Sequence, residues 1–110
     1  MDDLTLTRLC AEAMGYRLDR DGGYSRLCQG AGMDEPDWFE FIYNPLHDDA
    51  QAMALVKKFQ LSITVGDKWW ATPPEGQDAS SDDLNRAIVE SVAKMRKAEL
   101  VESMKAASDG

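Results

Sequence analysis

Apolar residues recur at helical spacing in the first segment, where Leu6, Leu9, Cys10, Ala13 and Met14 form a stripe behind Asp2 and Asp3, and Gly15 follows as a stop. The pattern predicts a helix over 4–14. A second stripe of Ala50, Met53, Ala54 and the Leu55–Val56 pair predicts a helix within 46–59, with Asp48 and Asp49 early and Lys57 and Lys58 late, the order that complements a helix dipole. A third, Leu84, Ile88, Val92 and Met95, predicts a helix from Asp82 to about Ala98, with Ser80 or Ser81 as N-cap and Asp82 and Asp83 in its first turn.

Period-two alternation marks the strands. Leu61, Ile63 and Val65 alternate with Gln60, Ser62 and Thr64, and Gly66-Asp67 separates them from Lys68-Trp69-Trp70-Ala71-Thr72, which predicts a β-hairpin of 60–65 and 68–72. A two-residue turn at Gly66-Asp67 sets Thr64 opposite Trp69 and Ile63 opposite Trp70, so the two tryptophans point to opposite faces. The aromatic run from Trp38 to Tyr43 predicts a strand over 38–42, broken by Asn44-Pro45. Between these elements, 16–37 reads as a long Gly-bearing loop, broken at most by a short strand near Tyr16 to Leu18. A connection this long in a small domain is uncommon unless it is functional or mobile.

The order of elements predicts one α+β domain over 1–98: a small, largely antiparallel sheet containing 38–42, 60–65 and 68–72, sandwiched by about three helices. A helix on each face of the sheet would cover both hairpin tryptophans. Residues 99–110 read as a helix extension or a flexible tail. In so short a chain, homo-oligomerisation would bury a further face.

Composition narrows the functional classes. With 110 residues, 44% hydrophobic and 29% charged, the chain has the make-up of a single soluble domain. A formal net charge of -8 disfavours sequence-independent binding to nucleic-acid polymers. Residues 1–55 hold 11 acidic and 4 basic side chains, residues 56–110 hold 9 and 8, so the acidity belongs to the first half. Within it Asp34, Glu35, Asp37, Glu40, Asp48 and Asp49 form either a solvated face or a docking face for a basic protein surface. Two cysteines and a start, MDDLTLTRLC, that lacks a secretory pattern point to a reducing cytoplasm. No apolar run approaches the roughly 20 residues that span a bilayer.

Catalytic chemistry finds little support. The lone His47 stands beside Asp48 at a helix start, with no serine or cysteine in a motif that would pair with it. Asp48-Asp49 and Asp82-Asp83 fall where helices welcome negative charge. Cys10, Cys28 and His47 lack metal-ligand spacing, and no cofactor motif is present. A noncatalytic pocket needs less: an aromatic platform from Trp38, Trp69 and Tyr24, and cations from Arg17, Arg20, Arg26 and Lys68, three of them in the Gly-bearing loop. Core packing of the tryptophans and scattered surface arginines are the competing readings.

Several local words carry a resemblance. Ala13-Met14-Gly15-Tyr16 closes the first helix, Tyr43-Asn44-Pro45 leads into the run from Asp48 to Phe59, Gly66-Asp67-Lys68-Trp69-Trp70-Ala71 forms the hairpin, and Leu84, Arg86, Ala87 and Ile88 open the last helix. In this order they resemble the phage α/β/α sandwich domain family over most of 4–98. That family pattern commonly places a tryptophan where Tyr16 stands and a single tryptophan where Trp69 stands, so Trp70 is extra. The resemblance implies a small accessory protein of a phage or prophage, made in host bacterial cytoplasm, and small size, acidity and missing catalytic motifs point to a nonenzymatic one that acts by binding. With it goes an anti-defence role: sequestering a small anionic ligand such as a nucleotide immune signal or, alternatively, binding a host defence protein through Asp34, Glu35, Asp37 and Glu40.

Overall fold

The computed structural model describes residues 2–18, 23–28, 35–75 and 77–109, the side chains of 27–28 and 103–109 excepted. Helix α1 spans Asp3–Met14 and is followed by strands β1 (Arg17–Leu18), β2 (Tyr24–Cys28) and β3 (Asp37–Phe41). Helix α2 (Asp49–Phe59) leads into β4 (Ser62–Val65), β5 (Trp69–Thr72) and β6 (Ala79–Ser81), and α3 runs over Leu84–Asp109. Among the described residues the architecture is α+β, with three helices and antiparallel strands, as the hydrophobic pattern predicts.

Each helix start is set by an aspartate. The Asp2 carboxylate accepts the Thr5 N–H at 2.8 Å and the Asp48 carboxylate accepts the Gln51 N–H at 3.1 Å. At α3 the cap is Asp83, which accepts the Arg86 N–H at 3.1 Å, while the Ser81 hydroxyl accepts from Asp83 N. This moves the α3 cap from the expected Ser80 or Ser81, because those residues are paired in β6 against Trp70 and Trp69. Gly15 closes α1 at φ 82°, a left-handed conformation that glycine adopts without a Cβ clash. Gln60 closes α2 in the same region, at φ 54°, with a side chain.

The three helices run side by side in the same direction. Near their starts, Arg86 Nη1 lies 2.9 Å from Asp3 Oδ1 and Asn85 Nδ2 donates to Asp49 Oδ1 at 2.8 Å. Further along, Arg96 Nε lies 3.6 Å from Glu12, and a groove is shared by Lys58 and Phe59 of α2 with Met95 of α3. Leu6, Leu9 and Cys10 of α1, Ala52 and Leu55 of α2, and Ile88, Val89 and Val92 of α3 form the shared core with Tyr24, Tyr43, Leu61 and Ala71.

The strands form two three-stranded antiparallel sheets, ordered β1-β2-β3 and β4-β5-β6, in place of the single sheet expected from 38–42, 60–65 and 68–72. Two strands hidden in polar segments account for the change. Tyr24–Cys28 lies inside the expected long loop and pairs along its whole length with Asp37–Phe41, and Ala79–Ser81 pairs with β5. The hairpin register is also shifted by one residue. Val65 pairs with Trp69, Thr64 with Trp70 and Ile63 with Ala71, and Gly66-Asp67-Lys68 makes a three-residue connection. The tryptophans still point to opposite faces: Trp69 packs against the core, whereas Trp70 is 40% exposed.

Two predictions follow from this packing. Leu55 is fully buried, so Leu55→Ala lowers unfolding free energy by about 2–5 kcal/mol in urea titration. Hydrogen bonds from Thr5 hold the Asp2 carboxyl below its ordinary 3.8. The cap therefore contributes fully above pH 3.8 and is lost as pH falls through its depressed folded value. The melting-temperature gap between the parent and Asp2→Ala is open at pH 7 and closes in strong acid.

Candidate functional site

The register of the first sheet separates its side chains cleanly. Arg17, Ser25, Trp38 and Glu40 share one face, and Leu18, Tyr24, Arg26, Phe39 and Phe41 share the other. On the first face the Arg17 guanidinium lies 4.4 Å over the Trp38 ring, a cation–π contact. On the second face Tyr24 and Phe41 pack against the core and join an aromatic cluster, while Leu18, Arg26 and Phe39 are exposed. Tyr16 meets Phe41 edge-on at 4.9 Å and Tyr43 at 5.1 Å, and Tyr24 meets Tyr43 at 5.8 Å.

That cluster floors a cleft of about 240 Å³ between the sheet and the start of α2. Tyr16, Phe41 and Tyr43 supply the apolar wall, Arg26 stands at its edge, and Asp48, Ala50 and Gln51 close the other side. The Arg26 guanidinium is exposed and sits 5.6 Å over the Phe41 ring. The backbone N–H of Ala50, in the first turn of α2, has no intrahelical acceptor and adds to the positive end of the helix dipole. The Asp48 carboxylate opposes this field, although it is held in its capping bond to Gln51 N.

One side chain keeps the cleft in shape. Gln51 Oε1 accepts the Asn44 N–H at 2.6 Å and Gln51 Nε2 donates to the Ile42 carbonyl at 2.7 Å, tying the β3–α2 connection to the helix. Beneath it, Tyr43 is buried and its hydroxyl finds no partner among the described residues. Burial, with smaller contributions from Cys10, Tyr16 and Tyr24, pushes the Tyr43 phenol well above its ordinary value. Burial likewise pushes the Cys10 thiol up to about 12, and its Sγ donates to the Val89 carbonyl at 3.4 Å.

The structure therefore divides the residues singled out from the sequence. Tyr24 and Arg26 belong to the aromatic face and Arg17 and Trp38 to the reverse face of the same sheet. Trp69 packs on the core from the other sheet, and Lys68 is exposed in the hairpin connection beside it. Arg20 and Asp34 lie outside the described residues; Glu35, Asp37 and Glu40 are exposed along the β3 edge. The cleft brings in Tyr16, Phe41, Tyr43 and Gln51, which sequence reasoning did not propose. Phe41 and Tyr43 carried a signal, two aromatics at alternate positions before a Pro-broken turn; nothing local marks Gln51.

His47 is exposed, its backbone N–H bonded to the Asn44 carbonyl. Among the described residues no group of three or more His, Cys, Asp or Glu is placed to hold a metal ion, and no helix is long and apolar enough to cross a membrane. No protein-family model, curated protein or solved structure matches the chain.

Gln51 is the residue on which the cleft geometry turns. Gln51→Ala removes two hydrogen bonds to backbone, costing about 1–3 kcal/mol, and hydrogen exchange accelerates at Asn44 in the variant. Buried Cys10 remains unmodified by iodoacetamide in the native protein near neutral pH and reacts on unfolding, as mass mapping of the alkylated peptide shows.

Proposed function

We propose that the protein is a nonenzymatic binding protein that captures a small anionic ligand with a flat aromatic group, of the nucleotide type. The observation that carries this reading is Arg26, a guanidinium poised over Phe41 at the mouth of an aromatic cleft at the start of α2. An aromatic group has Tyr16, Phe41 and Tyr43 to pack against, and an anionic group has Arg26 and the first-turn N–H of Ala50. A volume of about 240 Å³ admits a single base-sized ring system with its charged group in solvent. The phage accessory and anti-defence setting rests on the sequence resemblance alone.

Isothermal titration with a panel of cyclic mononucleotides, cyclic dinucleotides and ADP-ribose derivatives tests the reading. Micromolar binding by one member, weakened at least about tenfold in Arg26→Glu and unchanged in Trp69→Phe, is the expected outcome. Absence of binding across the panel at millimolar concentration, or binding indifferent to Arg26, sinks it.

A second reading, docking on a basic protein surface, is favoured by a separate observation. Because the helices start at one end, Asp2, Asp3, Asp48, Asp49, Asp82 and Asp83 all lie there and all are exposed. Beside them Leu4 and Ile42, 76% and 87% exposed, border an open groove. An apolar centre with an acidic rim suits a basic partner, whose association rate would fall with salt and with Asp49→Lys, while the Arg26 cleft keeps its ligand.

A further inference from the structure

Aromatic rings occupy alternate positions along β3 and just beyond it. Phe39 and Phe41 share one face of the strand, and Tyr43, two residues further on, meets Phe41 edge-on at 5.9 Å. Their exposure rises outward from the core: Tyr43 is buried, Phe41 is half-buried and Phe39 is 46% exposed. Tyr43 and Phe41 belong to the aromatic floor of the cleft, whereas Phe39 lies outside it. β3 is an edge strand, where natural sheets place charge rather than open apolar surface. Its other exposed positions, Asp37 and Glu40, follow that rule, and Phe39 breaks it.

The register shows what stands beside this exposed ring. Phe39 pairs directly with Arg26 of β2, and both side chains leave the sheet on the same face. The Arg26 guanidinium leans along the strand and lies 5.6 Å over the Phe41 ring. The cation thus stands between two aromatic positions, one leading into the cleft and one outside it. Alternate residues of a strand are roughly 7 Å apart, a gap that a phosphodiester joining two nucleosides can bridge.

Carboxylates on either side narrow the place for negative charge. Asp48 forms part of the cleft wall, and Asp37 follows Phe39 on the same face, its carboxylate accepting the Trp38 N–H at 2.8 Å. Between them the position beside Arg26 is the favourable one for an anion. A longer strand would bring further phosphates against Asp37, Glu40 and a chain of net charge -8, which limits the ligand to two rings.

We infer that Phe39 is a second aromatic platform beside Arg26, and that the ligand has two flat rings joined through one anionic group, of the dinucleotide type. One ring enters the cleft against Tyr16, Phe41 and Tyr43, the other stacks on Phe39, and the bridging anion meets Arg26. This platform depends on the Arg26 cleft being a ligand site, as proposed above, and extends that site from one ring to two.

Isothermal titration with two probe series of equal charge tests it. Cyclic mononucleotides carry one base and one phosphodiester; dinucleoside monophosphates carry two identical bases and one phosphodiester. For the base that binds, the dinucleoside compound binds about tenfold or more tighter than the cyclic mononucleotide. Phe39→Ala, with folding checked by far-UV circular dichroism, brings the two series to the same affinity. Phe39→Tyr keeps the ring and with it the difference, and Arg26→Glu weakens both series. Equal affinities in the parent, or a difference that survives Phe39→Ala, overturn the second platform while the one-ring site stands. Failure of both series to bind removes the ligand site itself, and the second platform falls with it.

Discussion

Three parallel helices around a buried segment of α3 set the terms for everything else in this fold. Ala87, Ile88, Val89, Ser91, Val92 and Ala93 are each no more than 1% exposed, with neighbours drawn from α1, α2, β5 and β6 and only the Arg86–Glu90 edge partly open. Small residues at 87, 91 and 93 let those neighbours come close, and the Cys10 thiol reaches the Val89 carbonyl. Because the helices point the same way, the chain must travel back to the starting end between each pair. An odd number of antiparallel strands does this. Three strands follow α1 and three follow α2, which is why the molecule has two small sheets in place of one larger one. Parallel alignment also gathers the positive ends of three helix dipoles at one place, and the aspartate caps at 2, 48 and 83 offset that concentration of charge.

What was legible in the sequence was what local physics determines alone. Gly15, the early aspartates and the stripe of Leu6, Leu9 and Cys10 delimit α1 to within a residue, and the aromatic run delimits β3 equally well. Strand β2 escaped because its sequence, Tyr-Ser-Arg-Leu-Cys, has glycines nearby on both sides and mixes polar with apolar residues on both faces. Its pairing with β1 and β3 makes it a strand. Ala79–Ser81 is a similar case: Ser80 and Ser81 read as helix caps, and tertiary pairing with Trp70 and Trp69 takes them instead. The hairpin register depended on whether Lys68 belongs to the turn or the strand, a choice the alternation pattern does not determine.

The candidate site shows the same division more sharply. Composition pointed to arginines and aromatics in the first half, and two of them, Tyr24 and Arg26, do stand on the aromatic face. Grouping by loop membership failed for Arg17, because alternation along a strand sends it to the opposite face from Arg26. Tyr16, Phe41 and Tyr43 come from separate stretches and converge only when the sheet closes on the core. Gln51 is an ordinary polar residue in a helix by any local measure, and its role exists only because Ile42 and Asn44 present a carbonyl and an N–H to it.

Polarity along the helix axis ties the surfaces together. The capped end is acidic, and the negative net charge of the first half is concentrated there in part by Asp2, Asp3, Asp48 and Asp49. At the opposite end Lys57 and Lys58 close α2, and Lys94 and Lys97 lead into the projecting part of α3, where Glu99 and Glu102 follow. The aspartate end, with Leu4 and Ile42 exposed beside it, and the Arg26 cleft are thus separate surfaces of the same chain.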